Sequence, residues 1–283
     1  MATVGPQGVS EMRVRNIVGL FGMAVLAGFL SGCNALTAVT GIPTSLKAAI
    51  AGNWEVKTNA TQAVTLPEIA GAFATTNGAV TATFHTLAAN ACMAPNTFVS
   101  ATGTTDANGN LKLTSAAFNG STLSLTGTLA ADGKTLTNAT YSVTGGSCGF
   151  PVVAGTAAVA ATATQYAAIT GAYAGNFTDS DGDVIPVSGN FTQSTAPDAN
   201  GVYHLTGNAT FPGNPCLTSP AIVDSTVTGS MLSTTYSQTA NGMTNTVVAN
   251  GTFNADASIL TVTDWTISGA CGSAHGTGLF SKQ

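Results

Sequence analysis

Apolar and polar residues take turns along most of this chain. In Thr122-Leu123-Ser124-Leu125-Thr126-Gly127-Thr128-Leu129, the leucines and Gly127 fall on one face and the hydroxyls on the other. Tyr203, Leu205, Ala209 and Phe211 oppose His204, Thr206, Asn208 and Thr210, and Val80, Ala82 and Phe84 oppose Thr81, Thr83 and His85. A period of two puts alternate side chains on opposite faces of a strand, so the pattern predicts half-buried antiparallel strands. Turn signals at Ala107-Asn108-Gly109, Asp132-Gly133, Asp181-Gly182 and Asn241-Gly242 cut the pattern into short runs. No sustained helical period follows residue 33, and the expected class is all-β.

The pattern also repeats. "AAIAGNW" at 48–54 matches "AAITGAY" at 167–173, an offset of 119, and "NACMAP" at 90–95 matches "NPCLTSP" at 214–220. "GTLAADGKTLTNATYSVTGGSCG" from Gly127 matches "GTFNADASILTVTDWTISGACG" from Gly251. A repeat of this length is domain-sized, well above a solenoid unit. It predicts two homologous β-domains, at 48–164 and 166–283, of about seven or eight strands each. The join "AATATQYAA" is short and lacks Pro and Gly, so the domains are expected to sit close together.

Composition places such a protein outside the cytoplasm. Only 7% of the residues are charged, and polarity comes from Thr, Ser, Asn and Gly. The formal net charge of −5, with two of seven cationic residues at Arg13 and Arg15, argues against a nucleic-acid partner. Those two arginines precede an apolar run of 14 residues from Ile17 to Leu30, too short to span a bilayer and typical of a secretory leader. Residues 1–11 add nothing to that signal, and Met12 is an alternative start.

The leader ends in Leu30-Ser31-Gly32-Cys33, which resembles the lipobox of bacterial lipoproteins. The resemblance implies a signal peptide over 1–32, cleavage before Cys33, and a palmitate-type acyl anchor on the Cys33 thiol, with residues 33–47 as linker. In that family an Asp after the cysteine marks inner-membrane retention. Asn34 stands there instead, which points to the outer membrane, facing periplasm or cell surface. Two or three acyl chains would hold the protein stably, whereas one is marginal.

Five cysteines leave four once Cys33 is acylated. Each repeat carries a pair at nearly equal spacing, 56 and 55 residues, so the expected disulfides are Cys92–Cys148 and Cys216–Cys271. Each would stabilise its domain by about 4 kcal/mol on the chain-entropy model. A metal site and reactive thiols are the rivals; the chain has no CxxC and no histidine at ligand spacing, and an exported chain meets oxidising conditions.

The architecture is expected to be a pair of tandem antiparallel β-barrels, with a β-sandwich as the alternative. Gly52-Asn53-Trp54 resembles the Gly-x-Trp that opens lipocalins and related small barrels, and Gly171-Ala172-Tyr173 is its weaker counterpart. That resemblance implies a closed meander barrel, which leaves no exposed edge.

Little else in the chain reads as chemistry. Gly145-Gly146-Ser147-Cys148-Gly149 matches the nucleophile elbow G-x-S-x-G, but a strand-like "FPVVAGTAAV" follows, and repeat two has Ala270 where Ser147 stands. Asp179, Asp181 and Asp183 are a weak calcium candidate. Val184 and Asn190 occupy the places where an EF-hand needs Gly and Glu, so an acidic hairpin turn is expected. His85, His204 and His275 are far apart, and His85, on a polar strand face, is expected in solvent. Trp54 and Trp265, with Tyr173 and Tyr141 at the matching positions, are expected in the cores. No cofactor motif is present. The sequence therefore suggests a lipid-anchored envelope protein, not an enzyme, with a binding or structural role outside the cytoplasm. The alternative is a carrier of a small apolar ligand, and a hydrolase ranks last.

Overall fold

The computed structural model describes residues 50–58, 66–87, 97–146, 158–214, 217–240, 242–270 and 272–283. The leader, Cys33, Ser147, Cys92, Cys148, Cys216 and Cys271 lie outside the described residues. The first repeat forms β1 (Gly52–Thr58), β2 (Ile69–Thr76), β3 (Ala79–Thr86), β4 (Phe98–Thr105), β5 (Asn110–Ser115), β6 (Ser121–Leu129), β7 (Thr135–Gly145) and β8 (Val159–Tyr166). The second forms β9 (Thr170–Asp179), β10 (Val184–Gln193), β11 (Leu205–Thr210), β12 (Ala221–Thr228), β13 (Met231–Ala240), β14 (Met243–Phe253), β15 (Ile259–Ser268) and β16 (Ala274–Lys282). Within each repeat every strand pairs antiparallel with its chain neighbour, β8 closes on β1, and β16 closes on β9. The result is two closed eight-stranded barrels in tandem, not sandwiches. Only Ala167, Ala168 and Ile169 separate β8 from β9.

The alternation becomes inside and outside. Leu123 and Leu125 are fully buried in the first barrel, and Tyr203, Leu205, Ala209 and Phe211 in the second, while their polar neighbours face outward. The turn signals fall at the β4–β5, β6–β7, β9–β10 and β13–β14 connections. At the closing pair of the second barrel the strands need a residue without a side chain. A Cβ on Gly175 would sit 2.0 Å from the Leu279 carbonyl oxygen.

The core aromatics are exchanged between repeats. Trp54 on β1 and Tyr141 on β7 are buried in the first barrel, and Tyr173 on β9 and Trp265 on β15 in the second. Large and small rings thus swap sides between the two barrels. Trp54 packs edge-on to Phe73, and Phe73 to Phe84; Phe177 stacks on Trp265 at 4.9 Å. The exchange is imperfect in its polar groups. Tyr173 Oη donates to the Ala257 carbonyl at 2.6 Å and Trp265 Nε1 to the Thr277 carbonyl at 3.0 Å. Trp54 Nε1 and Tyr141 Oη are buried with no partner among the described residues. Burial pushes the Tyr141 hydroxyl far above its ordinary pKa.

Candidate functional site

The two barrels form one compact unit, joined through the outer face of β1 to β3. The inner positions of β1 are Trp54 and Val56, so Asn53 and Glu55 point outward, where a polar strand face would normally meet water. Here they meet the tight β12–β13 turn of the second barrel. Asn53 Nδ2 donates to the Gly229 carbonyl at 2.8 Å, and Gly229 N–H donates to Asn53 Oδ1 at 2.6 Å. Ser230 N–H donates to Glu55 Oε2 at 2.6 Å, while Glu55 Oε1 pairs with Lys57. Burial draws the Lys57 amine down, and the Glu55 carboxylate more than offsets this, leaving it above its ordinary value. Gly229 has φ +56°, and a Cβ there would lie 2.5 Å from Ala70 Cβ, so only glycine fits the turn into the first barrel. Apolar packing crosses the joint as well: Ala72 of β2 belongs to the second barrel's core, and Tyr166 of β8 packs edge-on to Phe253.

Beside this joint the second barrel extends the loop between β10 and β11 onto β3. The loop is built on Asp198, whose Oδ1 accepts the N–H groups of Asn200 at 2.8 Å and Val202 at 3.0 Å. Burial pushes the Asp198 carboxyl up, but those N–H groups and the His204 ring outweigh it and hold the carboxyl below its usual value. The loop places the Asn200 carbonyl 2.7 Å from His85 Nε2, which must donate because a carbonyl only accepts. His85 is therefore buried, at 7% exposure, against the expectation that it faces solvent. Its strand face was read correctly as outer, but that face is covered by the other repeat. Burial lowers the His85 pKa, and the Asn200 carbonyl and Asp198 oppose the shift without cancelling it.

Between loop, β3–β4 and the outer wall of β12–β14 lies an open cleft of about 620 Å³. One end holds Phe98, 44% exposed, with the His85 ring edge-on to it at 4.3 Å. The facing wall carries Thr226, Thr228, Ser233 and Asn250 around the exposed Met231. His204 closes the remaining side, with Nε2 3.1 Å from Asp198 Oδ2 and Nδ1 3.0 Å from the Ser225 carbonyl. Both neighbours are acceptors, and each ring N–H of His204 can serve one of them.

The interior of the second barrel offers far less room. The space left inside the second barrel is about 30 Å³, walled by groups such as Phe177, Phe191 and Tyr236. That is the scale of a water molecule, whereas ligand pockets run to roughly 300–1,000 Å³. A carrier that keeps an apolar ligand inside that barrel has no support in this geometry.

The other expected features resolve as follows. His275 is exposed at the start of β16, away from the cleft. Asp179, Asp181 and Asp183 form the β9–β10 turn, as the hairpin reading expects, and Asp179 Oδ1 accepts the N–H groups of Asp181 and Asp183. Among the described residues no three His, Cys, Asp or Glu side chains group as metal ligands. Of the G-x-S-x-G segment, Gly145 ends β7, and Ser147 and Cys148 lie outside the described residues. Sequence reasoning missed Asn53, Glu55, Phe98, Asp198 and Asn200. One signal was available: the first repeat has Asn53 and Glu55 where the second has Ala172 and Ala174, a costly polar choice in so uncharged a chain.

Fold and cleft together define a tandem pair of closed β-barrels, of a kind consistent with a binding or structural role. No protein-family model matches the chain, and no curated protein is significantly similar to it.

Proposed function

We propose that this chain is a lipid-anchored protein of the bacterial cell envelope, held on the outer membrane by acylated Cys33, whose two barrels bind ligand outside the cytoplasm at their junction. The observation that carries the tether is Leu30-Ser31-Gly32-Cys33 at the end of a cationic, 14-residue apolar leader. The barrel walls support tethering over spanning. Their outward positions are hydroxyl-rich and their interiors apolar, the reverse of a membrane-spanning barrel, whose outer band is apolar. The cleft of about 620 Å³, set against the filled second barrel, supports binding between the barrels and not within them. One disulfide per barrel, Cys92–Cys148 and Cys216–Cys271, completes the proposal and suits an oxidising compartment.

Metabolic labelling with a radioactive or clickable fatty acid tests the tether. The wild-type chain takes up label and the Cys33→Ser chain does not; label that persists in Cys33→Ser overturns the anchor. Peptide mapping without reductant tests the disulfides, and a Cys92–Cys216 bridge would contradict the pairing.

A further inference from the structure

The chemistry of the cleft selects a class of ligand. Its lining sets hydroxyl and amide groups beside the apolar Leu87, Val202, Met231 and Leu232, with one carboxylate already engaged by His204 and, among the described residues, no lysine or arginine. An anionic ligand such as a phosphate would find no cation to pair with, and would face Asp198. A purely apolar ligand would strand Thr226, Thr228, Ser233 and Asn250 against a surface that offers them no hydrogen bond. The fitting molecule is neutral, rich in hydroxyls, and has one face of C–H groups. A pyranose ring has this character: a rim of hydroxyls and a weakly positive C–H face that packs on the negative face of an aromatic ring.

Phe98 supplies that aromatic surface. It is nearly half exposed, yet it is not loose, because the buried His85 ring meets it edge-on and His85 is itself fixed by the Asn200 carbonyl. A platform ordered before the ligand arrives loses little freedom on binding. Across the cleft, Ser233 Oγ donates to Asn250 Oδ1 at 2.7 Å, which leaves the Asn250 amide N–H groups available to sugar oxygens. We propose that the cleft between the barrels is a binding site for a neutral oligosaccharide, with Phe98 as stacking platform and Asn250, Ser233 and the Asp198–His204 pair as hydroxyl partners. This rests on the reading of the protein as a binder at the barrel junction, and is independent of whether Cys33 is acylated.

The chain has three histidines, two of which line the cleft. Full-length protein in detergent solution, isotopically labelled at the histidine rings, is titrated with maltotriose, cellotriose and chitotriose while ring resonances are followed by NMR. The expected result is a saturable shift of the His85 and His204 signals with at least one trisaccharide, and none at His275. Phe98→Ala weakens that binding about tenfold, the equivalent of 1.4 kcal/mol. Asn250→Ala, on the opposite wall, weakens it as well and guards against a folding defect in the first variant. The proposal is overturned if no trisaccharide shifts His85 or His204, if His275 shifts equally, or if both variants bind like wild type. A saturable response of the same two signals to a short-chain fatty acid, with none to the sugars, would also overturn it, but would leave the cleft as a binding site. Label on Cys33, tested separately, is unaffected by any of these outcomes.

Discussion

Replacing Asn53 by Ala removes one polar contact of the joint between the barrels without touching either core. The side chain lies on the outside of β1, is 2% exposed, and makes a reciprocal pair of hydrogen bonds to the N–H and carbonyl of Gly229. Truncation deletes both bonds and leaves a buried donor and a buried acceptor on the turn. Each such group costs about 1–3 kcal/mol, and partial access of water to a shortened side chain reduces the sum, giving roughly 2–4 kcal/mol. For a chain of this size that corresponds to a fall in melting temperature of roughly 5–15 °C. Asn53→Asp is the sharper variant. It keeps an acceptor for the Gly229 N–H, but turns a second oxygen toward the Gly229 carbonyl and adds charge beside Glu55. Scanning calorimetry is the assay. The wild-type barrels are expected to melt in one transition because they share packing at Ala72 and Tyr166. Asn53→Ala should melt earlier and over a broader range, because the coupling between the barrels is weakened. An Asn53→Ala protein that melts as one unit within about 1 °C of wild type would refute the claim that this contact couples the barrels.

Further outcomes follow from the same geometry. Gly229→Ala should uncouple the barrels at least as strongly, since its Cβ would meet Ala70 Cβ at 2.5 Å and Glu55 Oε2 at 2.7 Å at a positive φ; X-ray scattering should report a looser pair. Tyr141→Phe should leave stability unchanged or raise it by about 1 kcal/mol, because the hydroxyl it removes is buried without a partner among the described residues, while Tyr173→Phe should lose about 1–2 kcal/mol with its bond to Ala257; urea unfolding compares the two. The lowered His85 pKa means the unfolded chain takes up a proton that the folded chain resists. Stability is therefore full above about pH 6.5 and falls as the pH drops below it, and His85→Gln should flatten the melting temperature between pH 7 and 5. The charged neighbour of His85 is Asp198, which, held below its usual value, adds a second loss only in stronger acid.

The strands and the two domains were legible in the sequence: strict alternation fixes which residues point inward, and the duplication fixes where the second set begins. Closure into barrels and not sandwiches came only from the likeness of Gly52-Asn53-Trp54 to the opening of small barrels, because both architectures bury alternate apolar residues. Tyr203 to Phe211 and Thr122 to Leu129 behave as the alternation demands. The cleft was not legible because it depends on contacts that alternation cannot encode. His85 lies on the polar face of β3, and nothing local distinguishes it from an exposed histidine. Its partner is a carbonyl 115 residues away, on a loop whose conformation is set by one Asp198 carboxylate accepting its own backbone N–H groups. Differences between the repeats, not their likeness, mark the junction: Asn53 and Glu55 against Ala172 and Ala174.

The tether itself is tested most directly by the intact mass of the protein extracted from its native membrane. The account predicts a mature chain whose first residue is Cys33, carrying a diacylglyceryl group on its sulfur. A mature chain that starts elsewhere, or a Cys33 that carries no lipid, would contradict it.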